Sequence, residues 1–179
     1  QYVAARLKIY ALRKEVWGES DPPRLYDHLR KNKKIYDDCL LDSYSESEIH
    51  KISKFIKHDR DYLFTHAGIE QMIDKYLICD RISKKIYETP QFLFILVPMV
   101  LFKNQKNRIE LIKEMYDYVS TFKINLPTPI LAGVRSKLKF YSSCVLADCG
   151  DSIDSIFTTA HVVGKYTARR SGIGVNMGR

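Results

Sequence analysis

Residues 127–179 read PTPILAGVRSKLKFYSSCVLADCGDSIDSIFTTAHVVGKYTARRSGIGVNMGR, and this stretch decides the fold of the chain. Upstream of it the sequence has the pattern of lysine-rich helices. The segment Phe140–Ala147 is short, β-branched and aromatic, and turn residues bound it, so we predict a buried strand. The turn residues after it end the strand, and either Asp151 or Ser152 then caps a helix that runs to about Arg169.

The predicted helix has an apolar stripe, because Ile153, Ile156, Ala160 and Val163 recur at spacings of three or four residues. Gly172-Ile173-Gly174-Val175 follows it as a turn and the start of a second strand. A strand, a helix and a strand in this order form a βαβ unit, in which the two strands are usually parallel.

The N-terminal part contains sequence signals for the starts and ends of helices. Tyr2–Trp17 has the spacing of an amphipathic helix with Val3, Leu7, Tyr10 and Val16 near one face, and Gly18 ends it. Further along, Ser45 with Glu48 forms a capping box, and Thr89-Pro90 begins a helix over the apolar residues 92–102. Pro127 and Pro129 mark the boundary between a helical part and the βαβ part.

Composition excludes several classes of protein. The 179 residues carry a formal net charge of +8, which suits anionic partners but is also typical of solvated helix faces. The longest apolar run, Phe92–Phe102, is too short to span a bilayer. Neither the histidines nor the cysteines have the spacing of a metal site, so we predict no metal ligands. We expect a cytoplasmic protein with free thiols at Cys39, Cys79, Cys144 and Cys149.

An ordered series of motifs carries a resemblance to a known family. The chain resembles the large (alpha) subunit of class I ribonucleoside-diphosphate reductase, and the resemblance extends through the helical part over nearly the whole sequence. The matching pieces are Pro127-Thr128-Pro129-Ile130, Ala132-Gly133-Val134-Arg135, Ser142-Ser143-Cys144-Val145-Leu146, Cys149-Gly150-Asp151-Ser152, Asp154-Ser155, Lys165-Tyr166, Arg170 and Gly172-Ile173-Gly174-Val175-Asn176. Each piece alone is a weak signal, whereas their order and spacing together are specific.

The resemblance implies a mainly α N-terminal domain over residues 1–124. Residues 125–179 would then be the first strand–helix–strand of an α/β (ten-stranded) catalytic barrel. We therefore expect an incomplete fragment, without the family's ATP-cone and without most of the barrel. Two explanations stay open for such a fragment: a piece of a longer polypeptide, or a naturally split subunit that a second polypeptide completes.

The resemblance also implies the catalytic residue. Cys144 would be one of two thiols that reduce the ribose and become a disulfide in each turnover, which requires a partner thiol within about 6 Å between Cα atoms. Cys149 lies five residues along, where a continuous strand would turn it to the opposite face. We interpret Cys149, Cys39 and Cys79 as structural. The partner thiol and the radical-bearing cysteine would lie beyond Arg179, so we expect no turnover by this chain alone.

Nucleotide sites are implied at two further places. Thr128, Ser143, Ser171 and Gly172 would line the nucleoside diphosphate pocket, with Ser171 where the family has Ala. Asp151 would bind a deoxynucleotide or ATP effector at the specificity site. The Asp151–Arg169 helix would then lie at a homodimer interface, although its apolar stripe could equally face a core.

The implied partners follow from the same resemblance. They are a small radical-generating beta subunit with a metal cofactor and a thioredoxin or glutaredoxin reductant. This chain itself would bind no cofactor, and no membrane or nucleic-acid contact is implied. Two alternatives remain: a class II, cobalamin-dependent ribonucleotide reductase fragment, and a basic helical nucleic-acid-binding module. The second has net charge in its favour but no recognisable binding motif.

Overall fold

A computed structural model describes the chain at residues 1–80, 82–137, 141–168 and 171–178. The chain forms two compact units, Gln1–Lys137 and Leu138–Arg179. The first unit therefore continues past residue 124, where we predicted the helical domain to end, and includes the segment that contains both Pro127 and Pro129.

The first unit is helical, and its helices begin and end where the sequence signals predicted. Its elements are α1 (Tyr2–Trp17), α2 (Leu25–Lys31), α3 (Cys39–Asp42), α4 (Glu46–Ser53), a 3-10 helix (His58–Leu63), α5 (His66–Gln71), a π-helical turn (Met72–Tyr76), α6 (Pro90–Leu101), α7 (Arg108–Ser120) and α8 (Thr128–Gly133). The predicted capping box is confirmed: Glu48 N–H donates to Ser45 Oγ at 3.3 Å, and Ser45 N–H donates to Glu48 Oε2 at 3.0 Å.

Helix α6 forms the centre of the helical unit. Every residue from Pro90 to Val100 is buried, because all of these residues except Gln91 are apolar and the helix therefore has no face suited to water. Helices α3, α7 and α8 and the 3-10 helix pack around it. Pro90 occupies the first turn, where a proline removes no helical hydrogen bond.

Helix α1 has the predicted bounds but buries a different face. Gly18 ends it with φ 82°, as predicted, and donates its N–H to Lys14 O. The buried residues are Ala5, Ile9, Leu12 and Arg13, whereas Val3, Leu7 and Tyr10 are exposed. The predicted face was wrong because the helix carries two apolar stripes, and the one with Ala5, Ile9 and Leu12 is buried where α1 packs against α5 and the 3-10 helix. Of the predicted face, only Val16 is half-buried.

The core of the helical unit contains a charged pair. Asp61 is fully buried, and its carboxylate accepts from Arg13 Nη2 at 2.9 Å and from Gln91 Nε2 at 3.0 Å. The Gln91 side-chain oxygen in turn accepts from Tyr116 Oη at 2.7 Å. A buried carboxylate requires such partners, because its desolvation would otherwise cost several kcal/mol.

The second unit is a βαβ unit, as predicted. Strand β1 (Cys144–Asp148), helix α9 (Ile153–Ala168) and strand β2 (Gly172–Asn176) follow one another. The two strands are parallel, with Cys144 opposite Gly172 and Asp148 opposite Asn176. The predicted end of the helix at Arg169, the motif residue Arg170 and the predicted start of the strand at Phe140 lie outside the described residues.

The prediction of a buried strand was wrong. In β1, exposed and half-buried residues alternate, and 91% of the Leu146 side chain is exposed. Helix α9 has no buried residue, and Ile153 and Phe157 on it are exposed. A parallel sheet needs cover on both faces, and within the described residues this unit has two strands and one helix, which packs against β2.

Candidate active site

Cys144 begins strand β1 and presents an exposed thiol. Ser143 precedes it, and the Ser143 hydroxyl lies 3.9 Å from the Cys144 sulfur, which is contact distance for a weak hydrogen bond to sulfur. The register sets Gly172 directly opposite Cys144 on β2. The thiol therefore lies at the end of the two-stranded sheet where both strands begin, and it is accessible to solvent.

The predicted substrate residues of the second unit surround this thiol. Gly172 donates its backbone N–H to Ser143 O at 2.7 Å. A Cβ atom at position 172 would approach the same carbonyl oxygen to 3.2 Å, which is tighter than an ordinary contact and favours glycine there. The close approach of the two backbones thus keeps Ser143, Cys144 and Gly172 together.

Ser171 is buried, and its side chain is already engaged. Its hydroxyl donates to Ser142 O at 2.9 Å, and its N–H donates to Tyr166 O at 3.1 Å. The first bond ties Ser171 to the segment before β1, and the second ties it to α9. By resemblance we expected alanine at position 171. The serine hydroxyl that stands there instead links Ser171 to the backbone of Ser142.

Asp151 lies at the other end of the same unit. It is exposed and follows the carboxyl end of β1, whereas Cys144 lies at the amino end. Five strand residues separate the two ends, which corresponds to a distance of about 13 Å. The structure thus brings Cys144, Ser143, Ser171 and Gly172 together and sets Asp151 apart from them.

Ser152, rather than Asp151, caps helix α9. Ser152 Oγ accepts from the backbone N–H of Ser155 at 3.1 Å, which is the usual bond from the third helical residue to its cap. Ser155 Oγ accepts in turn from Gly150 N–H at 2.8 Å. Of the two predicted caps, Ser152 is therefore the one that the structure uses, and the Asp151 carboxylate is not needed for the helix start.

Thr128, in the helical unit, is the first residue of α8. It is half-buried, and its Oγ1 lies 3.4 Å from the hydroxyl of Tyr76. Pro127 precedes it in an extended conformation, which suits the residue before a helix. The sequence indicated Thr128 but gave no sign of the tyrosine beside it.

A buried ion pair supports α8, and sequence reasoning missed it. The side chains of Arg135 and Glu88 are fully buried and paired with each other. Tyr36 Oη donates to Glu88 Oε2 at 3.4 Å and lies 2.9 Å from His28 Nε2. Burial, followed by the charge of Glu88, raises the pKa of Tyr36 well above its usual value. Residues 36, 88 and 135 are far apart in sequence, so no local pattern joins them.

The remaining cysteines differ from Cys144 in their surroundings. Cys149 is buried, and its N–H donates to Asn176 O at 2.9 Å; Cys39 and Cys79 are half-buried. None of these four cysteines, all of which lie in the described ranges, forms a disulfide. Over residues 1–80, 82–137, 141–168 and 171–178, no group of three or more acidic, histidine or cysteine side chains is placed to hold a metal ion. Nor is any helix in those ranges both long and apolar enough to cross a membrane.

Comparison with known families matches the two parts of the chain separately. Residues 62–139 match the ribonucleotide reductase all-alpha domain. Residues 142–179 match the ribonucleotide reductase barrel domain. The second match contains Ser143, Cys144, Asp151, Ser171 and Gly172.

Individual relatives match over the full sequence. The chain is 49% identical to ribonucleoside-diphosphate reductase 1 subunit alpha of Escherichia coli over 183 aligned positions, which cover 100% of the chain and 24% of that protein. It is 42% identical to the ribonucleoside-diphosphate reductase subunit alpha of Enterobacteria phage T4, with 99% of the chain and 24% of the relative covered. Helicobacter pylori has a relative of the same name at 29% identity, with 97% of the chain covered. The chain spans about a quarter of the length of these relatives.

Proposed function

The chain belongs to the family of ribonucleoside-diphosphate reductase alpha subunits, and we propose on that premise that it is an N-terminal piece of such a subunit. The complete enzyme would reduce ribonucleoside diphosphates to deoxyribonucleoside diphosphates for DNA synthesis. The observation that carries the proposal is the exposed Cys144 thiol at the start of β1, opposite Gly172. It lies within the segment that matches the barrel domain.

Cys144 acts in this proposal as one of two reducing thiols. In each turnover, Cys144 and a second cysteine of the complete subunit lose two electrons and two protons and form a disulfide. The same two electrons and protons replace the ribose 2′-hydroxyl with hydrogen and release water. The exposure of Cys144 supports this role, because a reducing thiol must reach both the substrate and its partner sulfur.

Thr128, Ser143, Ser171 and Gly172 contribute to the nucleoside diphosphate pocket in this proposal. Hydroxyl and backbone N–H groups suit phosphate and ribose oxygens, and a glycine allows backbone to approach a ligand closely. The grouping of Ser143 and Gly172 around Cys144 supports it. The buried Ser171 hydroxyl is bonded to Ser142 O, so residue 171 would offer its backbone to the substrate rather than its side chain.

Asp151 binds the nucleotide effector in this proposal, at a site distinct from that of the substrate. Its carboxylate is exposed and is not the cap of α9, so it is available to accept hydrogen bonds from a ribose hydroxyl. The helix from Asp151 to about Arg169 would form the homodimer interface. The exposed apolar side chains of Ile153, Ile156 and Phe157 on α9 support that assignment.

The complete subunit would work with several partners. A small beta subunit would carry the metal cofactor and generate the radical that performs the difficult chemical step. A thioredoxin or glutaredoxin would reduce the disulfide again, and dNTP or ATP effectors would tune substrate choice. The free thiols suit a reducing cytoplasm. The name "subunit alpha" of the relatives favours a two-subunit enzyme over the cobalamin-dependent alternative.

The redox role is tested by Cys144→Ser in the complete large subunit assembled with its small subunit. We expect loss of dithiol-dependent multiple turnover, because serine cannot form the disulfide, while effector affinity stays at the wild-type value. Cys79→Ser is the matched control, since Cys79 is a half-buried free thiol in the helical unit. Continued multiple turnover by Cys144→Ser would overturn the proposed function.

A further inference from the structure

Tyr76 brings a phenolic hydroxyl to the hydroxyl of Thr128. The two oxygens are 3.4 Å apart, and both residues are half-buried. Tyr76 ends the π-helical turn Met72–Tyr76, and Thr128 begins α8, so the contact joins two element ends that pack on each other. The distance between the two hydroxyls therefore depends on how rigidly the π-helical turn and the start of α8 are held.

Arg135 holds both sides of this contact. Its Nη2 atom donates to the backbone carbonyl of Tyr76 at 2.9 Å. Its Nη1 atom donates to the carbonyl of Leu131, three residues after Thr128 in α8. The rigid planar guanidinium therefore fixes the distance between the end of the π-helical turn and the first residues of α8.

Glu88 fixes Arg135. Its carboxylate accepts from Arg135 Nε at 2.9 Å and also from the backbone N–H of Ile78 at 2.8 Å, two residues after Tyr76. Both charged side chains are fully buried, so removal of either would leave a desolvated charge without its partner. The pair thus anchors the backbone at Tyr76 and again two residues after it.

Either hydroxyl can donate in this contact, and a bound phosphate would favour one of the two directions. A threonine hydroxyl has one proton to donate and two lone pairs that can accept, whereas phosphate oxygens accept only. When the Tyr76 phenol donates to Thr128 Oγ1, the Thr128 proton is left for an oxygen of the substrate. Hydrogen bonds in such a chain also strengthen one another by polarisation.

We propose that Tyr76 is a positioning residue for nucleoside diphosphate binding: it orients the Thr128 hydroxyl toward the substrate, and the buried Arg135–Glu88 pair holds it in place. This inference rests on the proposed function of Thr128 as a substrate contact. Tyr76 contacts Thr128 through its hydroxyl, so in this proposal it acts on substrate affinity through that contact rather than on the chemical step.

The test is Tyr76→Phe in the complete large subunit assembled with its small subunit. Loss of one oriented hydrogen bond is expected to raise KM for the nucleoside diphosphate about three- to tenfold and to leave kcat within about twofold of wild type. The phenylalanine keeps the ring and its packing. Tyr118→Phe on α7 is the matched control, because Tyr118 is 42% exposed, and its KM should not change.

A double mutant shows whether Tyr76 acts through Thr128. Thr128→Val should raise KM, and Tyr76→Phe should then add nothing to it, because the hydroxyl that it orients is gone. Three results would overturn the proposal. The first is an unchanged KM in Tyr76→Phe, and the second is a fall in kcat alone. The third is a rise in KM on adding Tyr76→Phe to Thr128→Val that equals the rise in the wild-type background. An unchanged KM in Thr128→Val would remove Thr128 from the substrate site, and this proposal with it. Failure of the proposed function is seen separately, as continued turnover by Cys144→Ser.

Discussion

Asp151 and Ser152 are adjacent residues at the start of α9, and the structure gives them different roles. The Ser152 hydroxyl caps the helix through Ser155 N–H, while the Asp151 carboxylate is exposed and takes no part in that bond. Sequence reasoning left the cap open between the two, since aspartate and serine are both favoured at helix starts. The geometry therefore shows that Ser152 stabilises the helix, whereas the carboxylate of Asp151 is available to a ligand.

This separation predicts opposite outcomes for two alanine variants of the complete subunit. Ser152→Ala should lower the free energy of unfolding by about 1 kcal/mol and leave effector affinity unchanged. Asp151→Ala should weaken effector binding and change the free energy of unfolding by less than about 0.5 kcal/mol. Chemical denaturation and equilibrium nucleotide binding measure the two quantities. Unchanged effector affinity in Asp151→Ala would remove Asp151 from the specificity site.

The residues of the candidate site differed in how far the sequence could identify them. Cys144, Ser143 and Gly172 lie in short motifs whose order along the chain is specific, so they were predicted by resemblance. Tyr76 was missed because its partners Thr128 and Arg135 are 52 and 59 residues away in sequence. Contacts of that range depend on packing of the whole helical unit, which no local pattern encodes.

At the scale of elements, local signals predicted the boundaries well and the buried faces less well. The capping box at Ser45 and the left-handed Gly18 are set by interactions within a few residues, and both were predicted. The buried face of α1 depends on what packs against it, and a helix with two apolar stripes does not reveal which one is chosen. The burial of β1 was overestimated for the same reason, because burial is a property of neighbouring elements.

Two glycines in helical contexts predict opposite effects of the same substitution. Gly18→Ala should lower the free energy of unfolding by about 1 kcal/mol, because a φ of 82° is unfavourable for alanine. A Cβ atom there meets nothing within 4 Å, so the effect comes from the backbone alone. Gly164→Ala, in α9 with equally open space, should be neutral or stabilise by up to about 1 kcal/mol. Denaturant titration of both variants checks this, and equal destabilisation would contradict it.

At the scale of the whole molecule, the buried His28 and the half-buried His58 make stability depend on pH. Burial, followed by the nearby Lys31 charge, lowers the pKa of His28 to about 4. Burial, followed by Arg13, lowers the pKa of His58 to about 4. Below the ordinary value of 6.5 the unfolded chain binds protons that the folded chain does not, so stability falls as the pH is lowered from about 6.5 toward 4.

The expected loss is of the order of 2 kcal/mol per histidine between about pH 7.5 and about pH 5. Denaturant titrations at several pH values measure it. His28→Gln should reduce the pH dependence over this window to about half, because His58 still contributes its share. His50→Gln is the control, since His50 is exposed on α4 and should leave the curve unchanged. A pH profile of His28→Gln identical to that of wild type would contradict the account.

The division into a helical part and a βαβ part could be predicted because the two parts differ in hydrophobic period and in turn residues. The parallel pairing of β1 and β2 followed from the helix between them. The buried ion pairs Arg13–Asp61 and Arg135–Glu88 could not be predicted, because charged residues are ordinarily exposed and only the assembled core brings their partners together.

The most direct test concerns the oxidation state of Cys144 after one catalytic cycle. The complete, reduced large subunit is mixed with its small subunit, an effector and a nucleoside diphosphate, without any external dithiol. Free thiols are then alkylated and identified by peptide mass spectrometry. We predict that Cys144 becomes protected in a disulfide in proportion to the deoxynucleotide formed, while Cys79 stays free. Product formed with Cys144 still fully alkylated would contradict the central claim.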